Sequence, residues 1–204
     1  SRLLGGPLRA DEAMNEYTPG ITVVIPSIPP RTRLLTRALK SIASQTEEAA
    51  GVSIAYDTQK QGAGPTRTRA LRGVTTEWTA FMDDDDELLP NHLALLFAAA
   101  KETGADVLWP WFKVIGGTDP FPHARGAQLN PDNHHIFPIT TLVRTEYAHL
   151  AEFTPTDISG DWTKDDWPFW RTIHEAGATF HHIPDITWHW HHDSGNTSGR
   201  PDRW

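Results

Sequence analysis

The 204-residue chain contains no cysteine. Disulfide scaffolds, thiolate metal sites and a cysteine nucleophile are therefore excluded, and the redox compartment stays open. Long apolar runs are missing too, since none approaches the roughly 18 residues that a membrane span requires. Positive charge is scarce: 18 Lys and Arg stand against 26 Asp and Glu, a formal net charge of −8. A nucleic-acid groove needs a clustered basic face, and none is expected here. Nothing near the start reads as a signal peptide, because Leu3-Leu4 is followed at once by Gly5-Gly6-Pro7. These absences leave a soluble, cytoplasmic protein as the expectation, at a length that suits one α/β domain. In excess are 9 tryptophans and 11 histidines, which composition alone does not explain.

Residues 1–20 mix Gly, Pro and charge without periodicity and read as an N-terminal arm. Ile21-Thr22-Val23-Val24-Ile25 is β-branched throughout and stops at Pro26, as a buried parallel strand would. Leu34, Leu35, Ala38, Leu39 and Ile42 follow at helical spacing. A second strand is predicted over 52–56, ending at Asp57, then a polar loop over 59–65 and a helix over 66–72. The strand over 78–82 runs straight into four aspartates, and Pro90 suits the first position of a helix carrying Leu93, Leu96, Phe97 and Ala100. This alternation predicts a single domain over 21–204 with a doubly wound, mostly parallel mixed sheet flanked by helices. Ligands of such sheets bind beyond the carboxyl ends of the strands. Pro26, Ser27, Asp57 and the aspartate run should therefore share one rim. The second half offers a strand over 106–114, a loop through Asn133, an apolar segment over 136–143, a helix over 165–176 and a last strand over 179–190.

Four adjacent carboxylates, Asp83-Asp84-Asp85-Asp86, repel one another unless something positive offsets them. A solvated acidic turn at the start of the helix near Pro90 is one reading. The other is a hard divalent cation, Mg²⁺ or Mn²⁺, with alternate aspartates on an extended segment aiming oxygens at it and sites left for substrate phosphates.

Val24-Ile25-Pro26-Ser27, then Asp57, then Arg67, then Phe81-Met82-Asp83-Asp84-Asp85-Asp86 stand in an order that resembles the family-2 glycosyltransferases of the GT-A fold. That family shows a strand ending in Pro-Thr-Tyr-Asn-Arg, an Asp after the second strand and an Ala-Arg-Asn helix. A strand ending in Asp-X-Asp-Asp begins sixteen residues after that Arg, the separation of Arg67 from Asp83 here. This chain departs in having Ile28-Pro29-Pro30 for the Tyr-Asn, Thr68 for the Asn, and a short stretch between Asp57 and Arg67. The resemblance implies that Asp83 and Asp85 hold Mn²⁺ or Mg²⁺ against a nucleotide diphosphate, with Asp85 the direct ligand and Asp84 or Asp86 supporting. It also implies that Pro26, Ser27, Ile28, Arg31, Asp57, Arg67 and Asp84 frame the nucleotide, Asp57 accepting hydrogen bonds from base or ribose.

Farther on, Asp165-Asp166-Trp167 precedes Ala176-Gly177 with twelve residues from Asp165 to Gly177. This resembles the family's Glu-Asp-Trp segment and its following Ala-Gly, and implies that Asp166 is the base that deprotonates the acceptor, with Asp165 as fallback. An ordinary helix N-cap is the competing reading. The segment 188–193, Trp-His-Trp-His-His-Asp, would alternate along a strand, sending Trp188, Trp190 and His192 to one face and His189, His191 and Asp193 to the other. A zinc-hydrolase pattern fails here because Ser194 follows Asp193. In the family this place often reads Tyr-Arg-X-His, which implies a metal or diphosphate contact for His191. Asn196, Ser198 and Arg200 are candidates for a lid. Trp162, Trp167 and Trp190 are candidate sugar platforms, because pyranose C–H faces stack on indole.

The expectation is a metal-dependent, inverting glycosyltransferase using a nucleotide-diphosphate sugar, UDP-linked by preference. Residues 21–104 should bind the nucleotide and 105–204 the acceptor, whose class the sequence does not specify. Two rivals are a nucleotidyltransferase, opposed by Ser27-Ile28-Pro29-Pro30-Arg31 where a Gly-rich basic loop would stand, and a non-catalytic carbohydrate- or metal-binding module built from the Trp/His tail.

Overall fold

The β-branched run after Gly20 does form the central strand, β1 (Thr18–Ser27), in a computed structural model that describes residues 17–128, 139–155 and 166–192. β1 begins earlier than Ile21 because Thr18 already pairs with Thr76, with an irregularity before Ile21 where Gly20 takes φ +121°. The expected arm is accordingly shorter than 1–20. Pro26 does not end the strand either. Met82 N–H donates to the Val24 carbonyl, the last such bond from the neighbouring strand, so the donor that Pro26 lacks faces a side where no strand continues. Pairing with β2 (Gly51–Tyr56) runs on to Ser27 opposite Tyr56.

Seven strands make one sheet in the order β2-β1-β3-β6-β5-β7-β4. The remaining strands are β3 (Thr76–Phe81), β4 (Glu87–Leu88), β5 (Val107–Ile115), β6 (Leu142–Arg144) and β7 (Phe180–His191). β1 is parallel to β2 and β3, and β5 to β7, while β6 and β4 are antiparallel to their partners. The sheet is thus mixed and mostly parallel, as expected.

Alternation along β1 sorts the core to both faces. Ile21, Val23 and Ile25 pack with Leu35, Ala38 and Ile42 of α1 (Thr32–Ala43) and with Leu93 and Leu96 of α3 (His92–Thr103). Val24 and Phe81 face Ala70 and Leu71 of α2 (Ala63–Leu71), Ala148 of the short α4 (Thr145–Ala148), and Phe169, Trp170 and Ile173 of α5 (Trp167–Glu175). Helices therefore cover both faces. Buried His92 ties α3 to β7 through Nδ1, 2.8 Å from Thr187 Oγ1; burial lowers its pKa to about 3 and keeps it neutral. Among the described residues no helix is long and apolar enough to cross a membrane.

Two helix starts differ from expectation. α2 begins at Ala63 because Gly62, at φ +96°, turns the chain directly into it. Pro90 does not open α3. Glu87 and Leu88 first pair with β7, and α3 starts at His92 after Asn91.

Candidate active site

The carboxyl ends of β1, β2 and β3 meet, as the sheet type requires. Asp57 N–H donates to the Ser27 carbonyl at 2.8 Å, and Ser27 Oγ donates to Asp84 Oδ2 at 2.6 Å. The aspartates lie in a turn, not along an extended segment: Asp86 N–H reaches the Asp83 carbonyl at 3.3 Å. Glu87 and Leu88 pair with β7 before α3 starts at His92, so a short strand lies between the turn and that helix. Guanidinium groups supply the offset. Arg31 Nη1 donates to Asp84 Oδ1 at 2.7 Å and to Asp85 Oδ2 at 3.0 Å. Arg37 Nη2 donates to the Asp85 carbonyl. Arg67 Nη2 donates to Asp83 Oδ1 at 2.6 Å.

That compensation is incomplete. Burial raises the Asp85 carboxyl to about 7, and repulsion from Asp83 and Asp84 outweighs the help from Arg31. Asp86 is pushed well above the usual carboxylate range by burial and by Asp85 and Asp83. Asp84 is raised as well by burial, which Arg31 and Ser27 oppose. Oxygens of Asp83, Asp85 and Asp86 lie within 4.8 Å of one another. An all-oxygen set with surplus negative charge in a buried turn is the chemistry of a hard divalent cation. The residues present fit Mg²⁺ or Mn²⁺.

Arg67 joins two of the acids. Its guanidinium, 3% exposed, bridges Asp83 and Asp166, the latter by Nη1 to Oδ1 at 3.3 Å, and its Cζ lies 4.9 Å from the centroid of the Phe153 ring. α2 holds it there. Gly64 lets the helix approach the Thr154 carbonyl so closely that a Cβ would sit 2.0 Å from it, and Thr68 Oγ1 accepts the Phe153 N–H at 3.0 Å. Asp166 stands at the N-cap of α5, but its side chain makes no capping bond and turns to Arg67, one third exposed. The capping reading is thus right about position and wrong about the carboxylate.

Asp57 also has a more local task than expected. Its Oδ1 accepts N–H groups of Gln59 and Gln61 at 3.3 and 3.0 Å, and Oδ2 accepts Gly62 at 2.8 Å. This wraps the loop around a buried carboxylate and supports Lys60 at φ 57°, a conformation that costs a side chain about 1 kcal/mol or more. Ile28 is half-buried and its carbonyl accepts the Arg31 N–H, closing the turn that aims Arg31 at the aspartates; Pro26 is buried beneath.

His191 Nε2 lies 3.3 Å from Glu87 Oε2, and its backbone N–H donates to Asp86 Oδ1 at 3.4 Å. The reason is pairing: β4 lies antiparallel to β7, with Glu87 opposite His189. The predicted alternation of β7 holds, with Trp188 and Trp190 on Phe112, Trp190 on His192, and His189 beside His191. Trp190 is therefore half-buried edge-on against Phe112, and Trp167 is half-buried against the core that contains Phe153 and Phe169. Neither stands as a free platform. Trp162, Asp165, Asn196, Ser198 and Arg200 lie outside the described residues. The sequence reading missed Glu87, His189 and Arg37; the i, i+2 spacing of His189 and His191 was the available signal.

A family model described as Glycosyl transferase family 2 matches residues 34–156. The fold is similar to that of S. aureus TarS 1-349 in complex with UDP-GlcNAc, with a TM-score of 0.73 and 16% identity over 89% of this chain and 61% of that one. TarS 1-349 in complex with UDP gives a TM-score of 0.67 at 16% identity, over 84% and 60% of the two chains. The chain thus spans less than two thirds of the TarS structures' own length. No curated protein matches in sequence.

Proposed function

The chain belongs to glycosyl transferase family 2, and from that premise we propose that it moves a sugar from a nucleotide-diphosphate donor, UDP-linked by preference, to an acceptor hydroxyl. The observation that carries this reading is the Arg67 bridge, which sets Asp83 of a cation-fitting trio and the exposed carboxylate of Asp166 on one guanidinium. Donor activation and acceptor activation need to lie that near each other.

In the proposed mechanism Asp83, Asp85 and Asp86 hold Mn²⁺ or Mg²⁺, which when bound neutralises charge on the departing nucleotide diphosphate. Ser27 and Arg31 clamp Asp84 and fix the turn, so that the cation-binding oxygens need little reorganisation. Asp57 shapes the 58–62 loop beside the nucleotide. Asp166 takes the acceptor's hydroxyl proton on a carboxylate oxygen as the acceptor oxygen bonds the anomeric carbon and the bond from that carbon to the phosphate oxygen breaks. Attack opposite the leaving group inverts the anomeric centre. Arg67 orients the Asp166 carboxylate through its Nη1 contact with Oδ1. Residues 21–104 take the nucleotide and 105–204 the acceptor.

The test is a thermal-shift panel of UDP, GDP, dTDP and CDP, each with and without Mn²⁺. A shift with UDP that requires Mn²⁺ and is lost in Asp85→Asn is the expected result, with UDP-GlcNAc the first sugar donor to follow. No shift with any nucleotide, or Mn²⁺ binding that survives loss of Asp83 and Asp85, would favour a binding module and overturn the proposal.

A further inference from the structure

A second group of ligand-type atoms gathers where β4 meets β7. Glu87 stands opposite His189 in the antiparallel register, and His191, two residues on, points to the same face of β7. Nδ1 of His189 lies 3.4 Å, and Nε2 of His191 3.3 Å, from one and the same oxygen, Oε2 of Glu87. The three donor atoms all fall within 4.8 Å of one another.

The two contacts, at 3.4 and 3.3 Å, are long hydrogen bonds to one carboxylate oxygen. Their spacing also suits a tetrahedral ion, where metal–ligand bonds of about 2.0–2.1 Å put neighbouring ligand atoms about 3.3–3.4 Å apart. His191 is nine-tenths buried, while His189 is 24% exposed and Glu87 38% exposed, so the trio is reachable from solvent.

We propose that Glu87, His189 and His191 form a second cation site, distinct from the aspartate turn and selective for an imidazole-binding transition ion of the Zn²⁺ class. The two donor sets divide the metals between them. Three carboxylates suit Mg²⁺ or Mn²⁺, whereas two imidazoles and one carboxylate suit Zn²⁺ or Co²⁺. The ion is a positioning group. It fastens β4 to β7, and through the His191 N–H on Asp86 Oδ1 it steadies the far end of the aspartate turn.

Co²⁺, added to metal-free protein and followed by its visible absorption, tests this directly. One equivalent should give the intense bands of four-coordinate cobalt, and Zn²⁺ should displace them. His189→Gln should abolish the bands and Glu87→Gln should weaken Co²⁺ affinity by more than the about 10–100-fold typical of an outer partner. Asp83→Asn should leave them in place. Metal-free melting temperatures and far-ultraviolet circular dichroism identify any variant that fails to fold. If His189→Gln is one, the more exposed Glu87→Gln carries the test. Bands that persist in Glu87→Gln with unchanged affinity, bands lost in Asp83→Asn, or none in the wild type would each overturn the second site.

Discussion

Arg67 carries the largest share of the proposed chemistry on one side chain, and its burial explains why. A guanidinium at 3% exposure is costly to desolvate, and Asp83 and Asp166 offset that cost by accepting from its two Nη groups. Its planar fork reaches two acids at once, which a lysine ammonium cannot reproduce. Arg67→Lys should therefore lower kcat by about 10²-fold or more while changing the dissociation constant of UDP little. A loss confined to UDP affinity would restore a nucleotide-binding role. Asp166→Asn should lower kcat by about 10²–10⁴-fold, with a fall in melting temperature because buried Arg67 keeps an oxygen acceptor but loses one of its two counter-charges. Asp85 makes the pH prediction. Its carboxyl is raised from 3.8 to about 7, so across that window the metal-free folded state keeps a proton that the unfolded chain has released. Stability of the metal-free protein therefore falls as pH rises from about 4 to 7. Glu87, shifted downward, stays ionised across the upper part of this range and does not oppose the trend. Melting should occur at a higher temperature near pH 5.5 than near pH 7.5 without metal. Mn²⁺ should stabilise strongly at the higher pH and weakly at the lower, because it competes with the proton. A metal-free melting temperature that rises with pH would contradict the assignment.

At the scale of elements, α2 is the part whose placement the chemistry depends on. Gly64 is the contact point: an added methyl group would overlap the Thr154 carbonyl at 2.0 Å, and a backbone atom has little freedom to withdraw. Gly64→Ala should destabilise the fold by about 1–3 kcal/mol in urea titration and, by lifting Arg67 off Phe153, lower kcat as well. Unchanged stability would mean that α2 sits farther from the 153–154 segment. That contact was not legible in the sequence, because a glycine inside a helical stretch carries no sign of what approaches it. The strands were legible for the opposite reason. Ile21 to Ile25 and the stretch around Trp78 are patterned by local sterics and burial on both faces, which any reader of the chain can see. The rim was legible too, since strand ends in a parallel sheet converge by topology. Side-chain partnerships were not. Ser27, Asp57 and the aspartate run meet at the rim as expected, but which side chain meets a loop N–H and which an aspartate depends on turns of two or three residues. The contact of His191 with Glu87 was not legible because β4 is only two residues long and shows no strand signal of its own.

At the scale of the whole molecule, the sheet joins the two halves of the chain into one site. β6 lies between β3 and β5, and β4 from the first half closes the far edge on β7 from the second, so the two halves cannot separate without breaking strand pairs. The acids of the rim then answer to ligands from both sides: the aspartate turn follows β3, and Asp166 opens α5 on the same face that packs against Phe81. A cation on the turn and a nucleotide diphosphate beside it would share one charge balance, each neutralising what the other brings. Their affinities must then be coupled, and by linkage the coupling is reciprocal. Calorimetric titration of UDP with and without Mn²⁺, and of Mn²⁺ with and without UDP, should yield the same enhancement in both directions, on the order of 5–150-fold. Asp83→Asn should reduce that factor toward one in both titrations together, because it removes an oxygen that serves the ion and an anchor that serves Arg67. UDP binding that is indifferent to Mn²⁺ would dissociate the aspartate turn from the nucleotide and leave the acids without a donor to act on.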